Sequence, residues 1–173
     1  MTDRQGTRGE ALAAIFVYGT LKAGELNAPL LDPYRRATVA ATARGVLHDL
    51  GLYPALAPGD GVVRGELVRV APAEVAALLA LLDRLEGYDA GDEAGSVYVR
   101  RAVEVETADG GREVAWAYFY NRDPRTLPLA AGGVWSGRPG AAALAPDTEH
   151  AAFNEHVRAF LAAECPRRDG DPS

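Results

Sequence analysis

The strongest constraint on the fold is that strand patterns outnumber helix patterns along the chain. Short apolar or alternating segments typical of β-strands occupy residues 13–17, 38–47, 62–70, 97–107 and 113–121. The last two are joined at Asp109-Gly110-Gly111, a strong signal for a β-hairpin. Only residues 72–87 carry a substantial helix pattern among these segments. Several strands with a single internal helix predict a strand-rich α+β domain and not a series of βαβ units.

The remaining segments of the chain flank this domain or connect its strands. Residues 1–12 are polar and predict a flexible N-terminal tail, whereas residues 13–137 are expected to form one domain. The Pro/Gly-rich stretch 52–61 predicts a loop. A second helix is expected to open near Thr148, within a C-terminal extension of residues 138–173. Its apolar stripe consists of Phe153, Val157, Phe160 and Leu161. The stripe favours a helix that packs on the domain of its own chain, and therefore a monomer. The alternative is a homodimer formed through this helix.

Composition excludes several classes of function. The net charge of −6 and the pI near 5.1 argue against binding to a nucleic-acid backbone, which requires a basic face. Cys165 is the single cysteine, so an intrachain disulfide and a cysteine-rich zinc site are excluded. The three histidines lack a metal-ligand spacing, and neither a metal nor a cofactor is expected. Without a signal-peptide pattern or a long apolar stretch, no membrane association is expected, and the predicted compartment is the cytoplasm.

Glu86 is the main candidate for chemistry because it falls on the apolar face of the predicted helix. At about 100° per residue, Glu86 lies within roughly 20° of Val75 and inside the arc of Leu79 and Leu82. It also precedes Gly87, the expected C-cap, where the helix dipole disfavours negative charge. Both effects favour the neutral acid, which can then exchange protons near neutral pH. The alternative is a terminal glutamate that turns back to solvent.

A second candidate is the segment FVYGTLKAGELN, which begins at Phe16 and directly follows a predicted buried strand. It is not a nucleotide-binding loop, because Glu25-Leu26 stand where Lys-Ser/Thr would be required. Gly19 allows the amides of Thr20 and Leu21 to turn inward as a small anion-binding nest. Farther along, residues 26–31 can form a short helical turn with Asn27 as its N-cap. On its own the loop is also compatible with an ordinary tight turn.

Taken together, these motifs resemble the γ-glutamylcyclotransferase-like superfamily, especially its short γ-glutamylamine-cyclotransferase-like branch. The resemblance covers roughly residues 14–137, in the same order and spacing as the family. It is carried by the segments YGTLKAGELN, LYPALAPG, VRGELVRV, LDRLEGYD, YVRR and WAYFYN. The resemblance implies a small closed mixed β-barrel with flanking helices, to which the C-terminal helix is added. It also implies conversion of a small-molecule γ-glutamyl amide into 5-oxoproline and a free amine, with no metal.

The resemblance assigns roles residue by residue. The Leu-Asp-x-x-Glu-Gly segment implies that Glu86 is the catalytic general base and acid, which agrees with its position on the helix face. The family loop that receives the glutamyl group through backbone amides maps onto Tyr18, Gly19, Thr20 and Leu21. The Tyr-x-Arg segment implies that Tyr98 lines the site, while Arg100 is as readily an ion-pair partner.

Some features depart from the family. Ala28 stands where many relatives have a histidine, and AAGGVW, ending at Trp135, is a loose form of the family's closing Gly-x-Trp segment. These departures leave the substrate open. One alternative is the removal of a γ-glutamyl protecting group from a biosynthetic intermediate. Another is a non-catalytic module that binds a small acid, although the presence of Glu86 argues against it.

Overall fold

Five strands close into a β-barrel in the computed structural model of the chain, which describes residues 12–51, 53–136 and 148–164. The strands are β1 (Ala14–Val17), β2 (Arg35–Asp49), β3 (Pro54–Val70), β4 (Tyr98–Thr107) and β5 (Arg112–Tyr120). Their order around the barrel is β1-β3-β2-β4-β5. The barrel is mixed, because β1 runs parallel to β5 while the other neighbours are antiparallel. The predicted α+β fold with a small closed mixed β-barrel is confirmed.

The prediction of a loop at residues 52–61 was wrong, because β3 starts at Pro54. Its first residues pair with the end of β2, from Asp49 opposite Pro54 to Val46 opposite Ala57. The register then shifts, and residues 58–61 face the region of Gly45. Proline and glycine are tolerated in strands at such irregularities, where ladder hydrogen bonds are interrupted. The turn-forming residues therefore mark a break in the register within one long hairpin.

Three α-helices accompany the barrel in the described residues: α1 (Ala28–Leu31), α2 (Val75–Glu86) and α3 (Thr148–Glu164). Short 3₁₀ turns occur at Asp32–Tyr34, Pro72–Glu74 and Ala131–Gly133. The predicted helix over residues 72–87 is therefore a 3₁₀ turn that leads into α2. Gly87 ends it in the left-handed region at φ 65°, which glycine adopts without steric cost. None of the described helices is long and apolar enough to cross a membrane.

β1 is buried on both faces, which explains its uninterrupted apolar sequence. Side chains alternate across a strand, so Phe16 joins the cluster that fills the barrel while Ile15 joins the cluster shared with α2. Trp135 also belongs to the barrel cluster and is buried. Its backbone oxygen accepts a hydrogen bond of 2.6 Å from Lys22 Nζ, which ties the segment after β5 to the loop after β1.

α3 packs on the barrel and on α2 through part of its predicted apolar stripe. Phe153 and Phe160 are buried in the cluster that contains the apolar face of α2. The Arg84 guanidinium lies 5.5 Å from the centroid of the Phe160 ring, a cation–π geometry. The Leu161 side chain lies outside the described part of the chain, as do residues 1–11, 137–147 and 165–173. The division into tail, domain and extension and the preference for a monomer stay predictions.

Candidate active site

A pocket opens between the end of β1, the end of α2 and the inner face of α3. It holds about 560 Å³ of empty space, counted out through its open mouth into solvent. Its lining consists of residues 15–21, Asn27, Tyr53, Pro54, Leu85, Glu86, Tyr98, Tyr118, Phe153 and Val157. The structure thus brings together every predicted site residue, namely Glu86, Tyr18, Gly19, Thr20, Leu21 and Tyr98. Their chemical roles stay predictions.

The carboxyl group of Glu86 lies in this pocket at the last turn of α2. Burial and, secondarily, the negative charge of Asp83 raise its pKa from 4.5 to about 8. No described residue donates a hydrogen bond to this carboxylate that would lower the pKa again. The residue as a whole keeps some exposure, because the pocket is open at its mouth. At neutral pH a group with this pKa can both release and accept a proton.

Three buried tyrosines surround Glu86, and each has its hydroxyl group bonded elsewhere. Tyr18 Oη donates to the backbone oxygen of Tyr118 at 2.5 Å, and Tyr98 Oη donates to that of Pro54 at 2.8 Å. Tyr118 Oη donates to Asp83 Oδ1 at 2.7 Å. Burial is the main cause that raises the pKa of all three phenols, and the Glu86 charge adds to it. The phenols therefore stay protonated at neutral pH, which makes Glu86 the pocket's candidate proton acceptor.

The sequence left the role of Arg100 open, and in the structure this residue forms an ion pair. Its Nη1 donates to Asp83 Oδ2 at 2.6 Å. The guanidinium also lies 5.0 Å from the Trp116 ring centroid and 5.6 Å from that of Tyr88. Arg100 is not among the residues that line the pocket. It instead pairs with Asp83, the charged neighbour of Glu86.

The loop after β1 is a tight turn, closed by a hydrogen bond of 3.0 Å from Lys22 N to the Gly19 oxygen. A Cβ atom at Gly19 would lie 2.6 Å from Pro54 Cγ, so close packing against this ring requires glycine. The backbone N–H groups of Thr20 and Leu21 donate to no described residue. Because Thr20 and Leu21 line the pocket, their unpartnered amides are the candidate donors to an anionic or carbonyl oxygen there.

Among the lining residues that sequence reasoning missed are Asn27, Tyr53, Phe153 and Val157. Asn27 makes no side-chain cap on α1, and its Nδ2 instead donates to Thr20 Oγ1 at 2.8 Å. The buried Asn27 Oδ1 and Tyr53 Oη have no hydrogen-bond partner among the described residues. Asn27 and Tyr53 belong to the motifs YGTLKAGELN and LYPALAPG. Their place in these motifs was the sequence signal that could have identified them as site residues. No sequence signal connected α3 with the pocket. No group of three potential metal ligands occurs within the described ranges.

The family assignment follows from comparison with known proteins. Residues 15–137 match the family model described as gamma-glutamyl cyclotransferase, AIG2-like. This range includes the loop after β1 and α2 with Glu86, and it ends before α3. The chain therefore belongs to the AIG2-like γ-glutamyl cyclotransferase family, and the resemblance stated from the sequence is confirmed.

Individual relatives agree with this assignment. The gamma-glutamylcyclotransferase family protein YtfP of Escherichia coli K12 is 31% identical over 124 residues, covering 72% of this chain and 96% of that protein. The gamma-L-glutamyl-butirosin B gamma-glutamyl cyclotransferase of Niallia circulans is 33% identical over 110 residues, covering 63% of this chain and 67% of that protein. The crystal structure of an AIG2-like protein from Mus musculus superposes with a TM-score of 0.55 at 25% identity, covering 79% of this chain and 97% of that one.

Proposed function

We propose that this chain is a γ-glutamyl cyclotransferase that converts a γ-glutamyl amide into 5-oxoproline and the free amine. Family membership supports the reaction class. The observation that carries the proposal is the Glu86 carboxyl, whose pKa of about 8 suits proton transfer at neutral pH. It shares one pocket with the available N–H groups of Thr20 and Leu21.

The reaction needs few protein groups, because the substrate carries its own nucleophile. The α-amino nitrogen attacks the γ-carbonyl carbon, and the new C–N bond closes a five-membered ring. The C–N bond to the leaving amine then breaks. Glu86 accepts the proton that the attacking nitrogen loses and donates it to the departing nitrogen, so no proton is gained or lost overall. Such general acid–base catalysis contributes roughly 10²–10⁴-fold, and holding the substrate folded contributes proximity.

The remaining polar groups of the pocket match the glutamyl part of the substrate. The N–H groups of Thr20 and Leu21 would hold the α-carboxylate or stabilise the negative charge that develops on the γ-carbonyl oxygen. Asn27 Oδ1 lacks a partner among the described residues and would accept a hydrogen bond from the α-ammonium group. A γ-glutamyl group offers one anionic and one cationic end, which these acceptors and donors complement.

The test is incubation of the protein with γ-glutamyl amines, γ-glutamyl dipeptides and glutathione, measuring 5-oxoproline and amine together. We expect equal amounts of both products from at least one substrate and a large loss of the reaction in Glu86→Gln. Glu106→Gln, which replaces an exposed carboxylate on β4, is the matched control and should keep full activity. Release of glutamate instead of 5-oxoproline, or no reaction with any γ-glutamyl amide, would refute the proposal.

A second candidate is the removal of a γ-glutamyl protecting group from a larger biosynthetic intermediate. It is favoured by the similarity to the Niallia circulans cyclotransferase, whose name gives γ-L-glutamyl-butirosin B as its substrate. The chemistry and the role of Glu86 would be the same, and only the leaving amine would differ. Including γ-L-glutamyl-butirosin B in the substrate series distinguishes the two, since a kcat/KM for it well above that of every small amide would favour deprotection.

A further inference from the structure

The C-terminal helix contributes to the pocket although it lies outside the family match. The match ends at residue 137, and α3 begins at Thr148. Two side chains of α3, Phe153 and Val157, nevertheless line the pocket that contains Glu86. They are four positions apart and so share one face of the helix. A wall of the candidate active site is therefore supplied by this extension.

This wall is held in place by contacts with both the barrel and α2. The Phe153 ring meets the Tyr53 ring edge to face, with centroids 5.3 Å apart and planes at 89°. Its centroid also lies 5.5 Å from that of Tyr98. A Cβ atom on Gly87 would lie 3.7 Å from Phe153 Cε2, so this ring packs beside the residue that follows Glu86. The wall thus lines the same pocket as Glu86 and packs beside the end of α2.

The wall is chemically unlike the loop after β1. The loop has two backbone N–H groups without a partner among the described residues, whereas the side chains of Phe153 and Val157 consist only of apolar atoms. The Tyr53 hydroxyl beside them is buried and has no partner in the described residues. Among the described lining residues, Glu86 alone has a carboxyl or a basic group. The pocket lining therefore offers no second carboxylate that could pair with a cationic substituent of the leaving amine.

We propose that Phe153, Val157 and Tyr53 form a subsite for the substituent of the leaving amine. This rests on the proposed function, in which the polar groups of the loop hold the glutamyl part. The preferred substrates are then γ-glutamyl amides of amines with an uncharged, apolar substituent, such as an aryl or a branched alkyl group. The Tyr53 hydroxyl can donate to a single polar atom on that substituent.

The first test compares kcat/KM for the γ-glutamyl amides of phenethylamine, methylamine and 1,4-diaminobutane. Apolar pockets discriminate by roughly 10–200-fold for each methylene-sized difference, so we expect at least about a tenfold preference for the phenethylamide over the other two. Val157→Thr places a hydroxyl in the subsite, and the ratio of phenethylamide to methylamide should fall by about threefold or more. Ala159→Thr introduces the same side chain on the exposed part of α3 and should leave all rates unchanged.

Equal rates for the three amides, or faster turnover of the diaminobutane amide, would overturn the subsite. The subsite would also be overturned if the ratio of phenethylamide to methylamide turnover were the same in Val157→Thr and Ala159→Thr. If Val157→Thr fails to fold by circular dichroism, Val157→Ala replaces it with the same expectation. If no amide is turned over, the proposed function fails but the subsite is still decided by binding. The Val157 methyl resonances should then shift with the phenethylamide and not with 5-oxoproline, and an absent shift would refute the subsite.

Discussion

The buried carboxyl of Glu86 should make the stability of the protein depend on pH in a characteristic way. In the unfolded chain this group loses its proton near pH 4.5, and in the folded protein near pH 8. Between these values the folded state holds a proton that the unfolded state has lost. The free energy of unfolding therefore falls as pH rises from about 4.5 to about 8, and the Glu86 contribution is constant above that.

The magnitude follows from the size of the shift. At about 1.36 kcal/mol per pKa unit, the change from 4.5 to about 8 sets an upper limit of about 5 kcal/mol. Because the residue keeps some exposure at the pocket mouth, water screens part of this energy, and we expect roughly 2–3 kcal/mol. Glu86→Gln keeps the shape but has no proton to lose, so it should be more stable than the wild type at high pH.

Urea unfolding followed by circular dichroism at about pH 5 and about pH 8.5 measures this effect. The free energy of unfolding of the wild type, relative to Glu86→Gln, should fall by roughly 2–3 kcal/mol between the two pH values. Glu106→Gln is the control, because it removes an exposed carboxylate. A wild-type to Glu86→Gln difference that is equal at both pH values would refute the burial of this carboxyl.

Three further predictions follow from the packing around the site. Gly19→Ala should lower stability by about 1–3 kcal/mol in urea unfolding, since its Cβ would lie 2.6 Å from Pro54 Cγ; unchanged stability would contradict this packing. Arg100→Met removes the cation bonded to Asp83 and should move the ascending limb of the pH–rate profile to higher pH, because more negative charge then faces the catalytic carboxyl; an unmoved limb would contradict the role of the ion pair. Deleting residues 138–173 should lower the thermal midpoint and leave sedimentation monomeric, whereas a full-length dimer that becomes a monomer would show a subunit contact.

The position of Glu86 could be predicted because it depends on local rules. Helical periodicity places this residue on the same face as Val75 and Leu82, and Gly87 ends the helix directly after it. Those rules hold whatever packs against the helix. The loop after β1 was predictable for a similar reason, since a buried strand followed by Tyr18-Gly19 specifies a turn at the edge of the core.

The path of residues 52–61 could not be predicted because local turn signals compete there with distant pairing. Tyr53-Pro54 and Pro58-Gly59 are typical of loops, yet β2 pairs with residues 54–57 and again from Val62 onward. Each pairing gains ladder hydrogen bonds, and the register shift near Gly45 accommodates the proline and glycines. A single sequence read in short windows contains no information about that partner.

The contribution of α3 was unpredictable for a related reason. Its stripe indicates a buried face and favoured packing on the domain, but it left a subunit contact open and did not say which surface Phe153 would contact. Its position beside Tyr53 and Gly87 arises only when α3 folds back on the barrel.

Asn27 shows the opposite case. A local rule predicted that its side chain caps a helix, whereas the side chain donates a hydrogen bond to Thr20 across the turn.

The most direct test of the central claim is 5-oxoproline release by the wild type and by Glu86→Gln on the same γ-glutamyl amide. Binding of 5-oxoproline to each protein, measured by calorimetry, reports whether the pocket is intact. We predict a fall in kcat/KM of at least about 100-fold in Glu86→Gln, with 5-oxoproline still bound by the variant. A variant that keeps more than about a tenth of the wild-type kcat/KM would contradict the assignment of proton transfer to Glu86.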